Sequence, residues 1–223
     1  MIKIILKPVF TRPAIARLIS RGLLRVHSQS YRYLNDFLMY ANGGIHPKHQ
    51  LMNYAQFFVD EVSSKDRVLD VGCGRGTVAA RVAEKAHDVL GVDLAVKNIE
   101  FARARYQRSN LHFEVADATA SAFRGRHDTV VLSNVLEHID RRVDFLKAMS
   151  HIAPRLLIRV PMINRDWVVL LKKQWGLPYL SDKTHFIEYT EETFAHEVAE
   201  AKLTISKTTI RFGEIWAVVV TGR

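Results

Sequence analysis

From residue 66 onward, short apolar runs alternate with amphipathic stretches, and this alternation predicts the main architecture. The apolar runs predict strands at 67–71, 88–94, 111–118, 128–135 and 155–162, and helical spacing predicts helices at 76–86, 95–107 and 141–152. Strands that are almost wholly apolar and separated by helices are typical of a parallel sheet covered on both faces.

The last part of the chain departs from this alternation. A helix is predicted at 191–201, and two β-rich runs follow at 203–212 and 215–222, joined at Gly213 and Glu214. Two such runs separated by so short a connection predict a hairpin, which would add antiparallel strands to the sheet.

The first fifty residues predict helices instead. In residues 11–26, apolar positions recur at steps of three and four, and arginines recur every fourth residue (Ile15, Ile19, Leu23 and Val26; Arg17, Arg21 and Arg25). A second helix is predicted at 46–63, with Pro47 near its start. The basic amphipathic helix could pack on the rest of the protein, or contact an anionic membrane surface, an anionic substrate or nucleic acid.

The composition of the chain narrows these readings. A length of 223 residues, 48% of them hydrophobic, suits one α/β domain with an added segment. The net charge is +9, and residues 1–50 hold eight basic residues against one acid. A basic surface that binds an anionic partner would therefore belong to that segment. No apolar run approaches the roughly 18 residues that a membrane span needs, and no signal peptide is expected.

The cysteine content indicates the compartment. Cys73 is the single cysteine, which excludes an internal disulfide and fits a reducing environment. Its position among glycines indicates a small buried residue and not a nucleophile. We expect a cytoplasmic protein, either free or peripheral at the inner face of the membrane.

The candidate chemistry begins in "VLDVGCGRGTVA" (68–79), where Gly72, Gly74 and Gly76 follow the first strand. Such a turn places backbone N–H groups beside a ligand. Thr77 stands where a dinucleotide fingerprint has its third glycine, and no lysine follows as it does in a P-loop, so both of those sites fit poorly.

Three further stretches lie at the ends of the next three predicted strands: "GVDLA" (91–95), "VADAT" (115–119) and "SNVLEHI" (133–139). Together with the glycine turn they resemble the class I S-adenosylmethionine-dependent methyltransferases over residues 50–222. The resemblance implies a doubly wound, seven-stranded Rossmann-like α/β sheet with a C-terminal antiparallel hairpin. It implies an N-terminal helical cap at 1–50, a methyltransferase domain at 51–223 and an acceptor-side lid at 161–190.

The resemblance also implies S-adenosylmethionine as cofactor and a set of residues that bind it. Asp70 would lie near the methionine amine, the three glycines would let the backbone approach, and Asp93 would accept from the ribose hydroxyls. The adenine would meet Leu94, Asp117 and Ala118, and the methionine side would be lined by Ser133 and Asn134. Each of the three acids could instead serve as a helix cap or in a loop salt bridge.

Two histidines are candidate catalytic bases for the acceptor: His138, in "LEHI", and His185, in "KTHFIEYT" (183–190). Either could instead be structural. In the small-RNA 2′-O-methyltransferases this region binds a divalent ion, and Glu137, His138 and His185 could do so here. Asn134 replaces one glutamate of that set, so we expect no metal.

The identity of the methyl acceptor is the property that the sequence constrains least. The segment 161–180 is rich in aromatics and could pack as a helix on the core, form the acceptor pocket or face a membrane. Arg159 and Arg165 flank it and could grip an anionic group of the acceptor. "NGGIHPKHQLMNY" (42–54) and "KTHFIEYT" resemble methyltransferases of polysaccharide assembly, which implies a sugar, glycan or glycolipid oxygen as acceptor. The alternatives are a quinone-like or other small molecule, then RNA, or a non-catalytic module that binds S-adenosylmethionine. The acceptor atom and the oligomeric state stay open.

Overall fold

The computed structural model describes residues 11–120 and 127–222; the first ten residues of the expected N-terminal cap lie outside it. The chain groups into two compact units. One consists of the residues up to Leu51 together with Leu171–Tyr179, and the other of Met52–Leu170 and Leu180–Arg223.

The first unit is built on one long helix, α1 (Pro13–Ala41), followed by the short α2 (Lys48–Leu51). The expected helix at 11–26 is therefore too short. Past Gly22, the next glycine or proline is Gly43, and Gly43 and Gly44 have φ of 63° and 87°, so the helix runs on until that pair. The segment 171–179 contacts α1 through polar groups: Arg21 Nη1 donates to the Trp175 carbonyl at 2.9 Å and Lys172 Nζ donates to Ser28 Oγ at 2.7 Å.

The single helix expected at 46–63 was also wrong. It is interrupted between α2 and α3 (Tyr54–Glu61), where Asn53 has a left-handed backbone with φ of 45°. Asparagine tolerates this conformation better than other non-glycine residues, which explains why the break falls at Asn53.

The second unit alternates strands and helices. In chain order it contains β1 (Arg67–Val71), α4 (Thr77–Val82), β2 (Asp88–Asp93), α5 (Val96–Arg105), β3 (Leu111–Val115), β4 (Thr129–Ser133), α6 (Arg142–Ile152), β5 (Arg155–Pro161), α7 (Trp167–Gln174, which ends in the first unit), α8 (Glu191–Glu200), β6 (Leu203–Arg211) and β7 (Glu214–Thr221). Within the described residues the strands form one seven-stranded sheet in the order β3-β2-β1-β4-β5-β7-β6. The first five strands are parallel and β7 is antiparallel to both β5 and β6, which confirms the expected fold.

Hydrophobic clusters cover both faces of the sheet. Leu69 and Val71 of β1 point into the cluster beneath α6 and α8, whereas Val68 points into the cluster beneath α3, α4 and α5. Trp216 of β7 anchors the second cluster, 2% exposed, with its ring 5.4 to 6.0 Å from those of Tyr54, Phe57 and Phe58. Burial on both faces is why the strands read as continuous apolar runs.

Three strands end earlier than their apolar runs do: β2 at Asp93, β3 at Val115 and β4 at Ser133. The residues just beyond turn away from the sheet, and Asn134 has a left-handed φ of 57°. Because parallel strands end at one edge, these three loops and the glycine turn after β1 lie at the same edge of the sheet.

Alanine substitutions in the glycine turn can show whether a steric clash adds to the cost of backbone strain. Gly74 and Gly76 have φ of 55° and 78°, so an alanine is strained at either position. At Gly76 a Cβ would also lie 2.7 Å from the Phe113 ring and 2.9 Å from the Ala102 Cβ, whereas at Gly74 it would enter open space. We expect Gly76→Ala to lower the free energy of unfolding by about 1–3 kcal/mol more than Gly74→Ala, in urea denaturation. Equal losses would mean that backbone strain alone sets the cost.

Candidate functional site

The glycine turn is held open by backbone geometry. Gly72, Gly74 and Gly76 all have positive φ, and a Cβ on Gly72 would lie 2.7 Å from Val135 Cγ2 in the loop after β4. A Cβ on Gly74 would meet nothing within 4 Å. The turn therefore packs tightly against its neighbours at Gly72 and Gly76 and presents bare backbone to open space at Gly74.

Cys73, within the same turn, has a pKa well above its usual range because it is buried and lies near the Asp70 and Asp93 carboxylates. Its thiol remains protonated near neutral pH, which agrees with a packing role for this residue.

Asp93 ends β2 and connects two loops. Its Oδ2 accepts a hydrogen bond of 2.9 Å from the Gly74 N–H, and its Oδ1 accepts from the Ala95 N–H at 2.8 Å and from Asn98 Nδ2 at 3.1 Å. These donors fix the carboxylate at the mouth of the glycine turn. A carboxylate has about four lone-pair positions, so it retains capacity for a hydroxyl donor.

Apolar side chains lie unusually exposed beside Asp93. Leu94 is 68% exposed and Val115, which pairs with Asp93 across the sheet, is 47% exposed. Asp117 follows two residues later and accepts from the Thr119 N–H at 2.8 Å and the Thr119 hydroxyl at 2.7 Å; these two bonds lower its pKa. Exposed apolar groups next to an ordered carboxylate can bind a flat heterocycle with a polar edge. Ala118 packs partly buried against the core.

Asp70, in β1, is a buried acid that lacks a full set of partners. It is 1% exposed, and its Oδ2 has no hydrogen-bond partner among the described residues. Burial raises the pKa of Asp70 to about 8, and the Asp93 charge adds to this, while a hydrogen bond with the Ala79 backbone opposes it. A cation reaching this oxygen would favour the ionised carboxylate.

Ser133 and Asn134 lie at the end of β4, and Arg159 of β5 holds them. Ser133 pairs with Arg159 in the sheet, and Arg159 Nε donates to Asn134 Oδ1 at 2.7 Å. The Arg159 guanidinium is buried, 3.9 Å above the Tyr54 ring centroid and 5.2 Å from that of Trp216. Burial lowers its pKa, and it remains cationic. Arg159 therefore lies inside the protein, hydrogen-bonded to Asn134. It could bind an anionic acceptor group, as the sequence suggested, only if Asn134 moved.

The two candidate bases come together. The His138 and His185 rings are 4.6 Å apart and nearly perpendicular. His138 Nδ1 lies 2.8 Å from Thr184 Oγ1, and His185 Nδ1 lies 3.2 Å from Glu188 Oε1. Burial, followed by the neighbouring His185, lowers the pKa of His138, which favours the neutral imidazole that a base requires.

Glu188 holds His185 of this pair in place through its carboxylate. Besides His185, it accepts from the Ser181 N–H at 2.6 Å and the Ser181 hydroxyl at 2.7 Å, and it pairs with Arg165. Burial alone would raise the pKa of Glu188, but the hydrogen bonds from His185, Arg165 and Ser181 outweigh it and lower the pKa to about 2. An ionised carboxylate on Nδ1 orients the imidazole and leaves its other nitrogen to take a proton.

Glu137 completes the cluster. It is fully buried, and neither carboxylate oxygen has a hydrogen-bond partner among the described residues. Burial raises the pKa of Glu137 to about 7, partly offset by His185 and Arg159. One ligand atom from each of Glu137, His138 and His185 lies within 4.8 Å of the others, so the geometry would also suit a divalent ion.

Sequence reasoning missed Glu188 and misjudged Arg165. Glu188 lies inside the quoted stretch "KTHFIEYT", three residues after His185, and that spacing was the available signal. Arg165, expected to hold an anionic acceptor group, is instead paired with Glu188 and with the Met162 carbonyl.

The chain matches known proteins chiefly around this edge of the sheet. Residues 68–154 match the family model described as "Methyltransferase domain". A ubiquinone biosynthesis O-methyltransferase of Rickettsia typhi is 32% identical over 105 residues, which span 46% of this chain and 43% of that protein. One of the same name from Acinetobacter baumannii is 27% identical over 180 residues, spanning 73% of this chain and 75% of that protein.

Solved structures of low identity share the fold. The magnesium protoporphyrin IX methyltransferase of Synechocystis, solved with bound S-adenosylhomocysteine, superposes with a TM-score of 0.59 at 19% identity, over 99% of this chain and 100% of that one.

The site's geometry fits the cofactor of such proteins. Gly74 presents bare backbone, Asp70 lacks a partner for a buried oxygen, and Leu94 is exposed next to an anchored carboxylate. Residues 68–154 are therefore similar to a methyltransferase domain, and the geometry of the site is compatible with S-adenosylmethionine as its cofactor.

Proposed function

We propose that this chain transfers the methyl group of S-adenosylmethionine to an oxygen of a small, quinone-like aromatic molecule. The observation that carries the proposal is the contact between His138, in the loop after β4, and His185, which Glu188 orients. A hydroxyl acceptor must lose a proton, and a paired, oriented imidazole is suited to take it.

The names of the relatives favour a small molecule over the glycan that two stretches of the sequence had suggested. Both curated relatives described above are called ubiquinone biosynthesis O-methyltransferases. The R. typhi alignment covers less than half of that protein, so its substrate comes to this chain only as part of the proposal.

The cofactor supplies an electrophilic methyl when bound, and the protein's part is to bind, orient and move a proton. Asp93 would accept from the ribose hydroxyls, and Leu94 with Asp117 and the Ala118 N–H would hold the adenine. Asp70 would face the methionine amine, and Ser133 and Asn134 would line that side. His185, fixed by Glu188, or His138, held by Thr184, would receive the acceptor's proton.

Several wider expectations become part of the proposal. We propose a methyltransferase domain over 51–223, a lid at 161–190 on the acceptor side, a cytoplasmic location and contact of the N-terminal segment with the inner face of the membrane. The single cysteine is consistent with a reducing compartment.

The role of Asp93 can be tested by cofactor binding. Asp93→Ala removes the acceptor for a ribose hydroxyl donor and the anchor of the Gly74 N–H. We expect it to weaken S-adenosylhomocysteine binding by at least about tenfold in calorimetry, since each charge-assisted hydrogen bond contributes roughly 1.5–3 kcal/mol. The matched control is Asp88→Ala, at the opposite end of β2, which should leave the dissociation constant unchanged. Unaltered binding in Asp93→Ala would refute the assignment.

The raised pKa of Asp70 predicts that cofactor binding depends on pH. This dependence tests whether Asp70 contacts the amine of the cofactor and not its nucleoside. Its pKa is about 8 in the free protein, and an ammonium partner would lower that pKa, so binding must release a proton at neutral pH. We expect S-adenosylhomocysteine affinity to rise by up to about tenfold per pH unit between roughly pH 6 and pH 8.

Methylthioadenosine, which lacks the amine, is the control ligand and should bind with little change over that range. Asp70→Asn should abolish the rise for S-adenosylhomocysteine. A parallel rise for both ligands would show that Asp70 does not face the amine.

If His138 or His185 is the catalytic base, replacing it should lower the rate of methyl transfer without weakening cofactor binding. His185→Gln and His138→Gln should each leave S-adenosylhomocysteine binding intact, and the variant that lacks the base should lower kcat by about a hundredfold or more. The reaction can be followed with 3,4-dihydroxybenzoate as a probe acceptor. His196→Gln, on the exposed side of α8, is the matched control and should retain full kcat. Full activity in both site variants would exclude an imidazole base.

Chelation distinguishes an imidazole base from a metal site on the same residues. We expect activity to survive exhaustive treatment with EDTA, because Arg159 already places a positive charge near Glu137. Loss on chelation, restored by added Mg²⁺ or Zn²⁺, would identify Glu137, His138 and His185 as ligands instead.

A further inference from the structure

Helix α1 carries an apolar surface that its own unit does not cover. Seven large apolar residues lie within roughly 100° of one another around the helix: Ile15, Ile19, Leu23, Val26, Tyr33, Leu34 and Phe37. We call these residues the apolar face. Leu23, Val26 and Phe37 are 64%, 65% and 69% exposed, and no residue of α1, all of which the structure describes, is buried.

The contacts of α1 within its unit lie on the other side. Ser28 accepts from Lys172 at 2.7 Å, and Ser28 and Phe37 are nine residues apart, which puts them on opposite sides of a helix with about 3.6 residues per turn. Arg21 contacts the Trp175 carbonyl from the Ser28 side. The segment 171–179 therefore packs on the polar side and leaves the apolar face in water.

The charge along α1 is one-sided. At 100° per residue, Arg17, Arg21, Arg25 and Arg32 lie roughly 120–160° around the axis from the centre of the apolar face, on the polar side of α1, and Asp36 is the one acid in the helix. Arg25 and Arg32 are exposed. A helix with a basic polar side opposite an apolar face is typical of helices that lie in the plane of an anionic membrane interface.

None of the helices that the structure describes is long and apolar enough to cross a bilayer. At about 1.5 Å per residue α1 is roughly 43 Å long, so it offers a long interfacial surface when it lies flat.

We propose that α1 lies in the interfacial plane of an anionic phospholipid bilayer, with the apolar face in the acyl boundary and Arg25 and Arg32 at the headgroup phosphates. Charge complementarity selects this occupant. A second copy of α1 would cover the apolar face but leave the arginines without an anionic partner, and RNA would use the arginines but leave the apolar face in water. The proposal does not depend on the identity of the methyl acceptor.

The test is flotation of the full chain with vesicles of phosphatidylcholine alone and of phosphatidylcholine mixed with phosphatidylglycerol. We expect the protein to float with the mixed vesicles and much less with phosphatidylcholine alone. Leu23→Ser combined with Phe37→Ser should lower the partition coefficient by at least about tenfold, since two large apolar side chains lose their burial. Arg25→Gln with Arg32→Gln should remove the preference for the anionic vesicles.

Tyr31→Ser is the matched control. Tyr31 is 59% exposed on the same helix but lies roughly 120° around the axis from the centre of the apolar face, so its loss should not change flotation. S-adenosylhomocysteine binding measured on every variant reports that the methyltransferase domain is intact, and circular dichroism reports the helix.

Four results would overturn the proposal. The first is failure of the wild-type protein to float with the mixed vesicles, and the second is flotation of the Leu23/Phe37 variant equal to that of the wild type. Sedimentation equilibrium could show a dimer that the Leu23/Phe37 variant dissolves, without flotation of either, which would assign the face to a second copy. Binding of an RNA oligomer that the Arg25/Arg32 variant loses and the Leu23/Phe37 variant keeps, again without flotation, would assign the helix to RNA.

Discussion

One hydrogen bond, from the Gly74 N–H to the Asp93 carboxylate, joins the loop after β1 to the loop after β2, and the candidate site depends on it. It can form because β1 and β2 are parallel neighbours whose carboxyl ends meet at one edge, and because Gly74 adopts a φ of 55° that turns its N–H outward. The other oxygen of Asp93 accepts from the Ala95 N–H, just before α5 begins. The same carboxylate thus fixes the turn, ends a strand and orders the start of a helix, so the position of the proposed ribose site is determined by the fold itself.

The buried acids at this edge differ in how well the protein compensates them, and that difference separates support from function. Glu188 is surrounded by donors, has a pKa of about 2, and holds a histidine in place. Asp70 and Glu137 are equally buried, but each keeps carboxylate oxygen without a partner among the described residues, and their pKa values rise to about 8 and 7. A folded chain that keeps such costly groups at one edge of a sheet is arranged for a ligand or a proton that arrives later.

The order and type of the elements in the sheet followed from the sequence because each buried strand is a short apolar run and each turn carries glycine or a polar residue. The ends of elements were harder. Val115 and Asn134 lie in runs that continue the strand pattern, yet the chain leaves the sheet near them because loop contacts, such as the Arg159–Asn134 hydrogen bond, outweigh strand propensity. The spacing of Glu188 from His185 was a signal, but its contacts with Ser181 and Arg165 could not be predicted, since only the folded chain brings these residues to it.

The apolar periodicity of α1 shows most clearly what a sequence pattern cannot predict. An apolar stripe at helical spacing predicts that something apolar covers it, but the pattern is the same whether that cover is the protein's own core or another phase. In the second unit, Phe58 and Trp216 settle the matter by filling a core between sheet and helix. In α1 the intramolecular contacts are polar and fall on the Ser28 side, so the stripe cannot be explained by packing within its unit. About 25 cal/mol for each Å² of apolar surface left in water is a continuing cost, and a helix that bears it over seven large side chains, with a row of arginines on its opposite side, is best explained by an apolar, anionic surface outside the chain.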